Sequence, residues 1–360
     1  VVSSKITLTH TRETGISGYL DYIIACYTRK SDLTGSNYLA FRSSDLESSK
    51  KYAISGANEN TRVWCVTPNE ICEIAGTLEN GKYIANTDQD SQKKEYVAVN
   101  TNATFPEPEI IGSIENQDLH ALSNIDLVII VPASNKLTAQ AQRLADAHTQ
   151  YDSIRCIVVR ADEVYNEFSS GTPDATAYRR FMKMLYDKAE KSSDRPKNLC
   201  LFGDGVWDNR MITPTMSKNN PDDYLLCYES ENSLHHTDSY VLEEYYTLLA
   251  DAKGIKPLKD KPDCGVGRIT VTTATQARNV VDKLISYISN SHAGTWKNTI
   301  CFMADDGNAN THMKDADGVA KQIEALYPDY RFRKIYWDSY NREESGAGHS
   351  YPGAYKDIYD

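Results

Sequence analysis

The sequence predicts an α/β fold, a mostly parallel sheet with flanking helices, preceded by an all-β domain. Three observations carry this. Residues 1 to about 115 hold short alternating or β-branched runs between turn signals, with no amphipathic helix. After Asp126, short apolar runs alternate with segments of helical periodicity. One of those runs, Leu127–Val131, is apolar at every position, which suits a parallel strand covered on both faces.

In the first region the expected strands are Ile6–Leu8, Tyr22–Tyr27, Tyr38–Phe41, Arg62–Val66 and Tyr96–Val99. Turn-rich stretches such as Ser55–Asn60 and Asn80-Gly81 lie between them. Short strands with frequent turns suggest a sandwich or barrel-like domain. Phe105-Pro106-Glu107-Pro108, followed by Gly112, reads as a linker, because each proline disfavours helix and removes an amide donor.

Beyond the linker, Leu137–Gln150 is expected to be helical and Arg155–Val159 a strand. Thr172–Lys191 predicts a helix, with Pro173 and Asp174 in its first turn and Tyr178, Phe181 and Leu185 on one face. Leu199–Phe202 and Val266–Ile269 are strands, and a helix then carries Ala277, Val281, Leu284 and Ile288 at 3–4 spacing. Thr299–Met303, Met313–Leu326 and Phe332–Trp337 complete the alternation as strand, helix and strand. The polar stretch Ser217–Ser239 is a surface excursion or partial lid. Ligands of parallel sheets collect beyond the carboxyl ends of the strands. Gly203-Asp204-Gly205 and Asp305-Asp306-Gly307, each directly after an apolar strand, are therefore the loops of interest.

Composition narrows the function. The formal charge is −11 with a pI near 5.3, and no basic stripe interleaves with aromatics, so nucleic acid is not an expected partner. The 24 tyrosines against 7 phenylalanines favour wet surfaces and half-buried sheets over a very dry core. No apolar run reaches membrane-spanning length. The first residue is Val1 and no basic-then-apolar leader follows, so the chain reads as a piece of a longer protein. The eight cysteines show neither CxxC pairs nor zinc spacing. Cys26, Cys156, Cys200 and Cys301 fall in apolar strand-like runs and are expected to be buried thiols; Cys65 and Cys72, near the turn at Pro68, are the one candidate disulfide.

Asp204 and Asp208 stand just past a strand, where capping and turn formation are preferred over cation binding or histidine orientation. The adjacent carboxylates of Asp305 and Asp306 could meet Mg²⁺ or Ca²⁺, although Ca²⁺ needs about six to eight oxygens. No cofactor is expected, structural Ca²⁺ being the one alternative. Asp315-Ala316-Asp317-Gly318 lacks the rest of a calcium loop and reads as a helix face. His235-His236 reads as a solvated loop pair, and His349 lies in a loop with no apolar strand before it. With no GxSxG elbow, HExxH pair or phosphate loop, spacing alone gives no complete active site.

Several ordered segments nevertheless resemble a known family. They are Ala161–Phe181 (ADEVYNEFSSGTPDATAYRRF), Leu201–Gly205 (LFGDG), Gly265–Val271 (GVGRITV), Trp296 leading to Ala304–Gly307 (ADDG), Lys334–Asp338 (KIYWD) and Ser350–Tyr355 (SYPGAY). Val63–Thr67 and Asn116–Leu122 fit upstream. Over about residues 60 to 360 the chain resembles the gingipain-like cysteine peptidases, in particular their sortase-type members of type IX secretion. The resemblance implies a caspase-like α/β/α peptidase of two side-by-side subdomains. Residues 1–115 would then be the all-β domain, 116–292 subdomain A, and 293–360 the start of subdomain B. The chain would stop before the Gly-His-Gly histidine and the nucleophilic cysteine, and so be inactive by itself. It further implies an acidic side chain that orients the histidine, and Asp306 matches that position best, with Asp305 as neighbour. Implied partners are secreted cargo proteins, whose C-terminal sorting domains are removed, and other outer-membrane secretion components at the cell surface. The rival readings are a non-catalytic surface binding protein on the same fold, and a metal-dependent hydrolase using Asp204 and Asp305/Asp306.

Overall fold

The computed structural model describes residues 7, 9, 11, 22–24, 27–43, 50–87, 93–230, 239–346 and 348–359. Its contacts form two compact units, Val1–Ser113 and Ile114–Asp360.

The first unit contains β1 (Tyr38–Arg42), β2 (Lys50–Ser55), β3 (Thr61–Cys65), β4 (Cys72–Ile74), β5 (Gly76–Glu79), β6 (Lys82–Thr87) and β7 (Glu95–Asn100). They make two antiparallel sheets, ordered β1-β7-β3-β4 and β2-β6-β5. Alternation sorts their residues, as the pleat requires. Leu39, Val63, Cys65, Tyr96 and Ala98 of one sheet meet Ile54, Tyr83 and Ala85 of the other in a single core. This is a sandwich. Asn80 and Gly81 join β5 to β6 with φ of 50° and 74°, the left-handed pair that a two-residue hairpin needs. Gly76 allows a close approach: a Cβ there would lie 2.4 Å from Tyr83 Cε1 and 2.6 Å from the Ile84 carbonyl oxygen. Of the expected strands, Ile6 and Leu8 lie outside the described residues, and Tyr22–Ile24 and Tyr27 are exposed and form no strand.

The second unit begins with β8 (Leu127–Val131), α1 (Thr138–Asp152), β9 (Cys156–Arg160), α2 (Ala161–Phe168), α3 (Ala175–Lys188), β10 (Asn198–Phe202), β11 (Gly265–Ile269) and α4 (Ala274–Ile288). The sheet is wholly parallel, ordered β11-β10-β8-β9. β8 is buried at every residue, and its alternation feeds two cores. Val128 and Ile130 pack with Val164, Tyr178, Phe181 and Leu185 of α2 and α3. Leu127, Ile129 and Val131 pack with Ala141 and Leu144 of α1 and Val281 of α4. Asp174 is the N-cap of α3, accepting from Thr176 N at 2.8 Å, so Pro173 precedes the helix and does not lie in its first turn.

Asp126, only 4% exposed, ties the sheet together at its strand entrances. Its Oδ2 accepts from Arg155 N at 2.9 Å and Arg155 Nε at 2.8 Å. Oδ1 accepts from Arg155 Nη2 at 3.0 Å and lies 2.9 Å from Lys197 Nζ. The tyrosines depart from expectation, since Tyr165, Tyr178, Tyr245 and Tyr246 lie in the core. Burial is tolerated because hydroxyls find partners: Tyr165 Oη and Tyr178 Oη are 2.5 Å apart, and Tyr246 donates to Leu226 O at 3.0 Å.

A second parallel pair, β12 (Thr299–Ala304) and β13 (Arg331–Tyr336), brackets α5 (Gly307–Leu326). The hairpin of β14 (Glu343–Ser345) and β15 (Gly348–Ser350) leads into α6 (Pro352–Tyr359). Cys301 is exposed and Cys156 and Cys200 are only partly covered, contrary to expectation, and Cys26 lies outside the described residues. Thr299, Cys301 and Met303 alternate outward on β12, while Ile300, Phe302 and Ala304 are partly covered.

Candidate functional site

Two loops leave parallel strands at their carboxyl ends. The loop after β10 is occupied by structural work. Asp204 Oδ1 accepts from Gly205 N at 2.9 Å, and Asp208 Oδ2 accepts from Thr213 N at 2.8 Å and Thr213 Oγ1 at 2.7 Å. Asp208 is 7% exposed and closes a turn, as its sequence context suggested. A Cβ on Gly205 would meet Cys227 Sγ at 2.4 Å, so this loop is packed shut against its neighbours.

The loop after β12 is different, because its adjacent carboxylates part company. Asp305 turns back: Oδ1 accepts from Gly307 N at 3.2 Å and from His312 Nδ1. His312 Nε2 in turn lies 3.0 Å from Asn308 Nδ2, so the ring is held at both nitrogens. The chain between them runs through three successive left-handed residues, Asn308, Ala309 and Asn310, with φ of 49°, 55° and 62°. Asp306, half-buried, makes no capping bond to its own loop. Its Oδ2 instead accepts from Tyr351 Oη at 2.6 Å. Tyr351 is 5% exposed and packs with Ile335, Ala354, Trp337 and Tyr340. His349 is exposed on β15, its ring edge-on to Tyr351 at 5.9 Å.

Both carboxyl groups are held below the usual carboxylate range, Asp305 first by the His312 bond and Asp306 first by the Tyr351 bond. The same bond raises the Tyr351 hydroxyl. Among the described residues no three His, Cys, Asp or Glu side chains are placed to hold a metal ion. Asp317, read as part of a helix face, pairs with Lys321 and Lys334, both at 2.7 Å. Cys200 is an inert thiol, pushed up to about 12 by burial. Cys65 and Cys72 stand opposite each other on β3 and β4 but are both free thiols. His235-His236 lies outside the described residues.

Sequence reasoning did not single out His312 or Tyr351. His312 becomes a partner only through the left-handed turn, and Tyr351 meets Asp306 across 45 residues.

The sequence profile of peptidase family C25 matches residues 120–360, well over half of the chain. None of the curated proteins matches it. Among solved structures it is similar to dimeric latent PorU from Porphyromonas gingivalis, with 29% identity and a TM-score of 0.61. That match covers 74% of this chain but only 26% of the PorU chain. A structure described as a protease aligns at 14% identity and a TM-score of 0.34, over 50% of this chain and 32% of that one. The profile match, together with the parallel sheet that carries the acidic loop, places this chain in peptidase family C25.

Proposed function

We propose that this chain is part of a sortase-type cysteine endopeptidase or transpeptidase that removes C-terminal sorting domains from secreted cargo at the bacterial cell surface. Family membership and the likeness to PorU support the chemistry. Among the described residues no helix is long and apolar enough to cross a membrane. In this reading residues 1–115 are a β domain, 116–292 subdomain A and 293–360 the start of subdomain B. The attacking thiolate and the Gly-His-Gly imidazole come from outside residues 1–360, so the chain alone does not cleave. Secreted cargo and other outer-membrane secretion components are the proposed partners.

In the reaction a thiolate attacks the scissile carbonyl, the amine leaves with a proton from the imidazolium, and water or a second amine resolves the thioester. Asp306 contributes by accepting from the imidazole, which fixes its tautomer and stabilises its protonated form. One observation carries this role. Of two adjacent acids after β12, Asp305 is consumed by its own loop, whereas Asp306 is held from outside it by Tyr351.

The test is the kinetics of Asp306→Asn in the full-length protein, on a peptide spanning a sorting-domain junction. Turnover should fall between about tenfold and about ten-thousandfold, the upper figure being that of a triad acid that fixes the tautomer. Near-wild-type turnover with the fold intact would assign Asp306 to a structural or calcium-binding role instead.

A further inference from the structure

Asp306 reaches the end of β12 with no capping bond and no side-chain partner in its own loop, its own amide being the one local contact, and a carboxylate held only by that would rotate. Terminal sp³–sp² torsions such as χ2 of Asp are broad and roughly two-fold. An acceptor useful to an imidazole has to be confined to one orientation. The second carboxylate of the pair shows how a loop confines one, since Asp305 is clamped by Gly307 N and His312. For Asp306 that clamp comes from a distant element. Tyr351 stands immediately before α6, with its ring fixed in a small core among Ile335, Ala354 and Trp337. Its hydroxyl reaches Asp306 Oδ2 at 2.6 Å.

His349 and Arg342 stand close enough to favour the charged carboxylate, but neither makes a hydrogen bond to it. Arg342 is paired with Glu344 at 2.7 Å, and Asp338 accepts from Asn310 Nδ2 at 3.0 Å. His349 faces the edge of the Tyr351 ring and makes no hydrogen bond to Asp306. Of the two carboxylate oxygens, Oδ2 is therefore taken by a rigid donor. Oδ1 receives no hydrogen bond from another side chain among the described residues.

We propose that Tyr351 is the positioning residue of this acidic loop: its hydroxyl pins Oδ2 of Asp306 and leaves Oδ1 as the oxygen offered to the catalytic imidazole. The proposal rests on the histidine-orienting reading of Asp306. It adds a residue outside the acidic loop and an order of dependence, Tyr351 acting only through Asp306. Phenylalanine retains the buried ring and deletes the one hydrogen bond, so Tyr351→Phe separates positioning from packing.

The experiment is a cycle of Tyr351→Phe, Asp306→Asn and the double variant in the full-length protein. A hydrogen bond to a charged group corresponds to a loss of about tenfold in kcat for Tyr351→Phe, with KM unchanged within about twofold. In the Asp306→Asn background, Tyr351→Phe should change kcat by less than about twofold, because the group it positions is gone. If Asp306→Asn is impaired but Tyr351→Phe is not, the positioning role fails and the reading of Asp306 stands. If Asp306→Asn is itself silent, both fail. Equal, multiplying losses in the two backgrounds would mean Tyr351 acts through packing, which also overturns the proposal. A readout on residues 1–360 needs no activity: the ¹³C carboxyl titration of Asp306 should move up towards the ordinary aspartate value in Tyr351→Phe. An unmoved midpoint would show that the bond does not hold the carboxylate in solution.

Discussion

Asp126 gathers four polar contacts on one buried carboxylate, and Asp126→Asn should expose what they contribute. The carboxylate binds the entrances of three neighbouring strands through Arg155 N, Nε and Nη2 and Lys197 Nζ. Asparagine keeps one carbonyl oxygen for the Arg155 amide. Its NH₂ group faces Arg155 Nη2 and Lys197 Nζ, both donors, so two charge-assisted bonds are lost. Each is worth about 1.5–3 kcal/mol in favourable surroundings. The partner side chains are 44% and 55% exposed and regain water, so the figure must be discounted. A net loss of about 2–3 kcal/mol remains, or a fall in Tm of about 5–10 °C for a unit of this size. Thermal and urea unfolding near neutral pH measure it. The pH dependence gives a second check. Hydrogen bonds from Arg155, and then Lys197, hold the Asp126 carboxyl far below the usual range. A depressed folded pKa means the extra stability is present above the ordinary value of about 3.9, and is lost as the pH falls below that towards the folded value. The gap between wild type and Asp126→Asn should therefore narrow as the pH is lowered from about 5 towards about 2. A loss below about 0.5 kcal/mol near neutral pH, the range of ordinary surface substitutions, would refute this account.

Thiol labelling and a glycine substitution test other parts of the fold. Cys72 and Cys301 are exposed, while burial pushes the Cys200 and Cys264 thiols up to about 12. Iodoacetamide should modify the first pair in the native protein far faster than the second, which is partly covered, as read by peptide mass spectrometry; native labelling of Cys200 as fast as that of Cys301 would contradict this order. Gly76→Ala should cost about 1–3 kcal/mol by overpacking against Tyr83 and the Ile84 carbonyl. Urea unfolding of the β unit showing no change would mean that β5 can shift away from β6.

The parallel strands were legible because burial on both faces leaves an unbroken apolar run, as at Leu127–Val131. The polar strands of the sandwich were not. Lys50–Ser55 carries Ile54 inward, and Lys82–Thr87 carries Tyr83 and Ala85, too thin a pattern to separate from a loop. Helix Ala161–Phe168 went unread as an element because it starts directly on the last residue of β9, with no turn between them. Cys301 shows the opposite failure. Its run looks like a buried strand, yet alternation sends Thr299, Cys301 and Met303 outward. The loop bearing Asp305 and Asp306 could be located from strand ends alone. What the sequence could not show was the division of labour between them, since that depends on His312 and Tyr351, which no local spacing ties to the loop.

The three left-handed residues after Gly307 impose a spelling rule on that loop. Asparagine adopts this region at little cost, because its short polar side chain bonds locally. Alanine costs roughly 1–2 kcal/mol there, and a β-branched residue more. Substitution at Asn308, Ala309 and Asn310 is thereby narrowed to Asn, Gly, Asp and at most a small residue. A restricted alphabet of this kind is a signpost. In another chain, Asp-Asp-Gly after an apolar strand, followed by three such residues and a histidine two positions later, would mark the same turn. It would also tell the reader which aspartate the loop keeps for itself.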